Sequence, residues 1–398
     1  MPGEASLVLH VIPTPVGRGA QRAARSLVDS LDGHNGVSHR LISLFDGPSD
    51  VPVDGGLRHP GTAEGFNLTM LVRVRKLISD LGPSVVVAHG GEPMKYLVPA
   101  LVGSRCRLVY CVIGTFAGNA TRANLEKWKQ IMRRSALVVA VGDEVLDECV
   151  SRFGTDPTRA VLIPNGRDPS VFHPQPRSSV RPERATVIFV GALTVQKRPD
   201  LFIEIARLLK AEGRGVRALM VGDGPLRSSL GPLAQGGGVE LLGARQDVPD
   251  LLRDADVLVF PSSPAGEGMP GILIEAGLSG LPVVSAPVPG ARSVIESGRT
   301  GEVVPAEAHA MATAVGELLD DPERRSAMGS AARARCQLEY SLDVMASRWS
   351  DALQPLIEAE GATDPLWTTL AGAAERAASA LVRRIRSLRG SSHSKRGG

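Results

Sequence analysis

Aromatic residues make up only 4% of the chain, so its cores must be built mainly from Val, Leu, Ile and Ala. Cysteine is scarce too. Cys106, Cys111, Cys149 and Cys336 lack the spacing of a metal site, and Cys106 and Cys111 sit five apart in apolar sequence, as buried thiols do. Nothing suggests a secreted disulfide scaffold. No window approaches 18 apolar residues, and no basic segment with a long apolar stretch opens the chain. The expectation is a protein without signal peptide or membrane span. Charge of one sign is also in short supply, with a net of only +3. The excess gathers at the end, where Arg376, Arg383, Arg384, Arg386, Arg389, Lys395 and Arg396 face Glu375 alone. The body of the chain therefore carries no general signal for nucleic-acid binding.

What is present is alternation. Apolar runs of strand length recur at Ser6–Ile12, Ser38–Phe45, Ser84–Ala88, Arg107–Val112, Leu137–Val141 and Ala160–Ile163. Helical patterns lie between them at Ala20–Leu31, Leu68–Leu81, Met94–Val102 and Asp143–Arg152. A second series has strands at Thr186–Val190, Val216–Val221, Val239–Leu242, Val257–Phe260, Leu281–Ser285 and Gly301–Val304. Its helices are predicted at Pro199–Ala211, from Gly271 to Gly277, Ala308–Asp320, Pro322–Cys336 and Val344–Glu358. This is the βαβ signature of mostly parallel sheets. The Pro-, Ser- and Arg-rich segment Asn165–Pro182 divides the two series. The expected domains are 1–175, 176–345, a helix over 346–362 that crosses back, and an amphipathic basic tail over 363–398. Two such α/β domains on a short linker imply a cleft.

One stretch stands out. After the run Val257–Phe260 comes a loop with Glu267, Gly268, Met269, Pro270 and Gly271, then a helix carrying Glu275. Open α/β sheets place ligands at the carboxyl ends of their strands. Backbone NH groups at a helix start suit a phosphate or pyrophosphate. Two carboxylates flanking that anion can accept from neutral hydroxyls on either side. A sugar nucleotide has this layout; a helix cap and an exposed glutamate are the plain structural alternative.

Other segments add to it: Val16-Gly-Arg-Gly-Ala20, Ala88-His-Gly90, Ile163-Pro-Asn-Gly166, Val190-Gly-Ala-Leu-Thr-Val-Gln-Lys197 and Val221-Gly-Asp-Gly-Pro225. In this order, and with Glu267 through Pro282, the chain resembles a retaining glycosyltransferase of the GT-B fold, family 4, over about residues 5–350. The resemblance implies two Rossmann-like α/β domains facing a central cleft. It implies hexosyl transfer from a UDP- or GDP-linked sugar to a hydroxyl on a glycan, a lipid-linked acceptor or a small molecule. Glu267 is then expected to hold hydroxyls of the transferred sugar and Glu275 those of the ribose. Gly268, Met269, Pro270 and Gly271 would offer backbone to sugar and diphosphate. Lys197, after Gly191, would meet the leaving phosphate oxygens, where charge grows as the glycosidic bond breaks. Gly222 and Arg245 would line the nucleotide, and Gly17 and Gly19 would reach across the cleft. His89 would sit beside the transferred sugar, with Arg18 and Glu92 toward the acceptor. His89, Lys197 and Glu267 form the expected catalytic set. The implied mechanism is front-face substitution, in which a leaving phosphate oxygen takes the acceptor proton.

The sequence departs from the family at Ala192, where Arg commonly follows the glycine, and Arg198 is the neighbouring cation. This departure keeps a non-catalytic sugar-nucleotide-binding protein as the alternative. A phosphorylase would need a pyridoxal-phosphate lysine and usually a longer chain. No metal and no cofactor are expected: Asp254-Ala-Asp256 has metal-binding spacing but precedes a buried strand. The tail fits a helix on an anionic membrane or a locally packed or disordered segment, with the latter favoured. The remaining expectations are a monomer or homodimer, cytoplasmic or peripheral at the inner membrane face.

Overall fold

The computed structural model describes residues 6–17, 19–59, 65–116, 122–175, 184–265 and 267–359. Arg18 and the tail beyond 359 lie outside them. The first sheet contains β1 (Leu7–Ile12), β2 (Ser38–Phe45), β3 (Gly55–His59), β4 (Val85–His89), β5 (Arg107–Val112), β6 (Leu137–Ala140) and β7 (Ala160–Leu162). Their spatial order is β3-β2-β1-β4-β5-β6-β7. The second contains β8 (Thr186–Val190), β9 (Arg217–Val221), β10 (Val239–Gly243), β11 (Val257–Phe260), β12 (Val283–Ser285) and β13 (Gly301–Val303), ordered β10-β9-β8-β11-β12-β13. Neighbouring strands in both sheets are parallel.

Valine-rich strands suit this arrangement because helices cover both faces, and β4 and β11 are buried at every position. In each sheet the order turns back between two central strands, β1 beside β4 and β8 beside β11. At such a switch point the connections leave to opposite faces and open a crevice at the strands' carboxyl ends. The loops after β1, β4, β8 and β11 carry most of the expected site, with Gly222 and Arg245 following β9 and β10.

The helix Leu342–Glu358 belongs to neither series of strands. It packs on the helix Gly19–Leu31 and against β4. One buried apolar cluster therefore joins Val8 and Val87 of the first sheet, Leu258 and Val283 of the second, and Trp349 and Leu353 of this helix.

Several elements depart from the expectation. Strand β3 and the helices Arg122–Arg134, Arg227–Gly237 and Val248–Asp254 were not anticipated. The helix after β4 starts at Gly91, not Met94, so Glu92 is in its first turn rather than in a loop. The helix opening at Asp143 gives way to a π turn over Glu148–Arg152. Asp256 accepts from the Thr186 backbone at 2.9 Å and pairs with Arg325 at 3.4 Å, which ties the start of β11 into the core.

Candidate functional site

The loops after β8 and β11 lie side by side because Ser263 N–H donates to the Gln196 carbonyl at 2.8 Å. This contact brings Lys197, at the end of a short 3₁₀ turn, onto Glu267. The Lys197 ammonium donates to Glu267 Oε1 and lies 5.1 Å from the centre of the Phe260 ring. Glu267 is 7% exposed, so its carboxylate is balanced by a partner rather than by bulk water. Two groups expected at opposite ends of the sugar–phosphate bond thus begin as partners of each other.

Glu275 is one turn into the helix Gly271–Leu278. Arg167, from the crossing between the sheets, donates through Nε to Glu275 Oε1 at 2.6 Å. The rest of that carboxylate's acceptor capacity is available to neutral hydroxyls. The Arg167 backbone is fixed where the chain returns. Its N–H donates to the Tyr340 carbonyl at 3.0 Å, and its carbonyl accepts from Leu342 N–H at 2.8 Å.

The two halves meet directly at the loop carrying Glu267. Gly268 bridges to Gly114 in antiparallel fashion, and Thr115 N–H donates to the Glu267 carbonyl at 3.4 Å. A Cβ on Gly268 would lie 2.5 Å from the Ile113 carbonyl oxygen, so only glycine allows this approach. Asn165 Nδ2 donates to the Met269 carbonyl at 3.4 Å. On the other side, Glu144 Oε2 accepts from Gly290 N–H at 3.1 Å and Asp143 Oδ2 from the Ser293 hydroxyl at 2.6 Å.

His89 closes β4 and pairs in register with Cys111, two residues before Ile113. It is 6% exposed, and its Nε2 is 3.0 Å from His10 Nδ1. Burial lowers its pKa to about 4, so the ring is neutral near pH 7.

Among the other expected residues, Gly17 donates its N–H to Asp50 Oδ2 at 3.0 Å, and Gly19 opens the following helix. Gly222 has φ +138°, and any side chain there would collide with the Gly191 carbonyl. Glu92 accepts from Lys95 at 2.8 Å. Arg245 forms a bidentate pair with Asp247, at 2.7 and 2.5 Å. Arg198, next to Lys197 in sequence, bonds Asp200 at 3.0 Å. Ala192 is exposed. The spacing-based reading missed Arg167, Asp143, Glu144, Thr115 and His10. Arg167 directly follows the quoted Pro-Asn-Gly segment, which was its only signal. A separate cavity of about 500 Å³, lined by Arg75, Ser84, Arg107 and Leu356, lies at the amino ends of β4 and β5, away from these residues.

The model described as "Glycosyl transferases group 1" matches residues 184–321, and "Glycosyltransferase Family 4" matches residues 17–171. The alpha-D-kanosaminyltransferase of Streptomyces kanamyceticus is 33% identical over 372 residues, covering 80% of this chain and 95% of that one. A GDP-mannose-dependent alpha-(1-6)-phosphatidylinositol monomannoside mannosyltransferase of Mycobacterium tuberculosis is 28% identical over 322 residues, covering 75% and 83%. Among solved structures, Anabaena Alr3699/HepE in complex with UDP and glucose aligns with a TM-score of 0.75 at 19% identity, over 88% of this chain and 100% of that one. Sucrose-phosphate synthase from Thermosynechococcus elongatus aligns at 0.73 and 18% identity, over 89% and 100%.

Proposed function

The chain belongs to the group 1 glycosyltransferases of family 4, and from that premise we propose that it moves a hexosyl unit from a nucleotide diphosphate sugar to a hydroxyl acceptor with retention at the anomeric carbon. The observation that carries this reading is the meeting of the loops after β8 and β11 at their switch point, with Lys197 on Glu267 and Arg167 on Glu275. In the working complex, Glu275 accepts from the ribose hydroxyls. Glu267 turns to hydroxyls of the transferred sugar, and Lys197 moves to the leaving phosphate. The N-terminus of the helix Gly271–Leu278 adds partial positive charge, so the site needs no divalent ion. His89 faces the transferred sugar as a neutral ring; it is not a general base. Gly17 and Gly19 approach the diphosphate from across the cleft, with Glu92 toward the acceptor.

Relatives named for GDP-mannose and neighbours solved with UDP support testing both nucleotides. The test is a panel of UDP- and GDP-sugars with mass-spectrometric detection of slow donor hydrolysis, which needs no acceptor. One nucleotide sugar should be consumed selectively. Tight binding of a nucleotide sugar with no hydrolysis or transfer would favour the non-catalytic alternative, which Ala192 supports.

A further inference from the structure

His89 is the end of a chain of three imidazoles. His39 Nδ1 lies 3.1 Å from His10 Nε2, and His10 Nδ1 lies 3.0 Å from His89 Nε2. The sheet register produces this row. His39 is level with Val8 and Ala88 with Val11, so His39, His10 and His89 descend diagonally across β2, β1 and β4 on one face. Trp349 covers it, with its ring centre 6.4 Å from that of His10 and 6.3 Å from that of His89. His10 is fully buried, and His39 and His89 are each 6% exposed. At the far end His39 borders a cavity of about 10 Å³ with His34, Asn35 and Ser350.

A neutral imidazole has one donor and one acceptor nitrogen. Burial lowers His39 and His89 to about 4 and holds His10 well below the usual imidazole value, so all three rings are neutral at pH 7. Each junction joins an Nδ1 to an Nε2, which leaves two self-consistent states. Either all three protons are on Nδ1, and His89 offers a donor at its second nitrogen, or all three are on Nε2, and His89 offers a lone pair there. A ring in the opposite tautomer would set two protons or two lone pairs against each other in a dry site, at the cost of a buried unsatisfied group.

We propose that His10 and His39 are positioning residues that couple the tautomer of His89 to their own, and that the row rests in the first of its two states, with His89 Nδ1–H directed to the reacting sugar. The assignment rests on the proposed place of His89 at that sugar, and it extends the machinery two residues away from any substrate contact. His39 uses only Nδ1 in the row, and the amide of an asparagine reaches the position of Nδ1. Substitution at this distant site therefore separates the hydrogen bond from mere volume.

The experiment is ¹⁵N NMR of ring nitrogens in the histidine-labelled full chain, assigned with single variants, alongside donor hydrolysis. In the native protein His10, His39 and His89 should each show a protonated Nδ1. His39→Leu should make His89 a mixture of tautomers and lower kcat by about tenfold with little change in donor KM, by analogy with the loss of a group that orients a metal-bound histidine. His39→Asn should recover most of both effects. Mixed tautomers in the native protein would overturn the proposal, even if no variant folds. So would an unchanged His89 signal in His39→Leu, or unchanged turnover there while His89→Ala abolishes it. A tautomer shift combined with full activity in His89→Ala would instead remove the proposed role of His89 and leave the coupling itself standing.

Discussion

Arg167 and Glu275 form an ion pair between the crossing that links the two sheets and the helix expected to hold the nucleotide ribose, with Nε 2.6 Å from Oε1. The side chains are 15% and 18% exposed, so the pair is shielded and well oriented. The same arginine is held through its backbone at Tyr340 and Leu342, where the chain crosses back. A ribose held by Glu275 would thereby be coupled to both crossings. Glu275→Ala should weaken UDP or GDP binding by about 10- to 100-fold, the loss of charge-assisted hydrogen bonds worth roughly 1.5–3 kcal/mol. Arg167→Ala should weaken it less, since the carboxylate remains but is no longer oriented. Calorimetry with the free nucleotides checks both; equal affinity in Glu275→Ala and the native protein would sink the ribose assignment.

The pair of Lys197 with Glu267 predicts a different pattern. Free nucleotide lacks the sugar, so Glu267→Ala should spare UDP or GDP affinity while donor turnover collapses. Lys197→Ala strands a carboxylate that is 7% exposed and should cost stability, on the order of 3–5 kcal/mol by comparison with other broken buried pairs. The double variant Lys197→Met with Glu267→Gln should recover most of that stability without activity. Denaturant midpoints measured beside hydrolysis rates separate the two effects. Normal turnover in folded Glu267→Ala would defeat the role given to that residue.

Activity should persist in excess EDTA if, as proposed, Lys197 and the N-terminus of the helix Gly271–Leu278 supply the positive charge at the leaving diphosphate. Complete loss with EDTA, restored by Mg²⁺ or Mn²⁺, would refute this. Partial stimulation by the metal leaves it intact, since divalent ions also act on acceptor and product.

The histidine row makes a pH prediction whose sign is fixed. Burial holds His39 and His89 near 4 in the folded protein, against about 6.5 in the unfolded chain, and Asp32 opposes this at His39 without outweighing it. Between those values the unfolded chain takes up protons that the folded one refuses. Stability should be full above pH 6.5 and fall as the pH drops toward 4, by an amount on the order of several kcal/mol, with His10, also depressed by burial, adding to the loss. Urea midpoints at pH 7.5 and 5 test it. His39→Asn should flatten the slope across that window, which lies above the range where most carboxylates titrate.

The sheets were legible because runs such as Val85-Val-Val-Ala88 and Val257-Leu-Val-Phe260 are buried on both faces and bounded by turn residues. Strand β3 was not, since Gly55-Gly-Leu-Arg-His59 presents a single large apolar residue. The helix Arg227–Gly237 was hidden by Gly231, Pro232 and Gly236, which read as breakers. At the candidate site, Lys197, Glu267 and Glu275 stand out through local motifs and the family resemblance. Their partners do not, because Arg167 and Glu275 are 108 positions apart and local spacing carries no such information. The histidine row was invisible for the same reason: His10, His39 and His89 each stand alone in a strand, and only the sheet register aligns them.

Stereochemistry gives the last prediction. An inverting enzyme needs a base on the acceptor side, opposite the leaving group, to take the acceptor proton. The residue that the proposed reading sets beside the sugar is His89. Its Nε2 is committed to His10, and burial lowers its basicity to a pKa of about 4. That ring is a poor proton acceptor near pH 7, whereas a leaving phosphate oxygen gains negative charge as the bond breaks. If that oxygen takes the proton, the acceptor must enter on the face the phosphate leaves, and the anomeric configuration is kept. An α-configured donor should therefore yield an α-linked product, and His89→Ala should fold but turn over slowly. The anomeric proton coupling in the product NMR spectrum decides the first point. A β product from an α donor would overturn the retaining assignment and require a base on the opposite face.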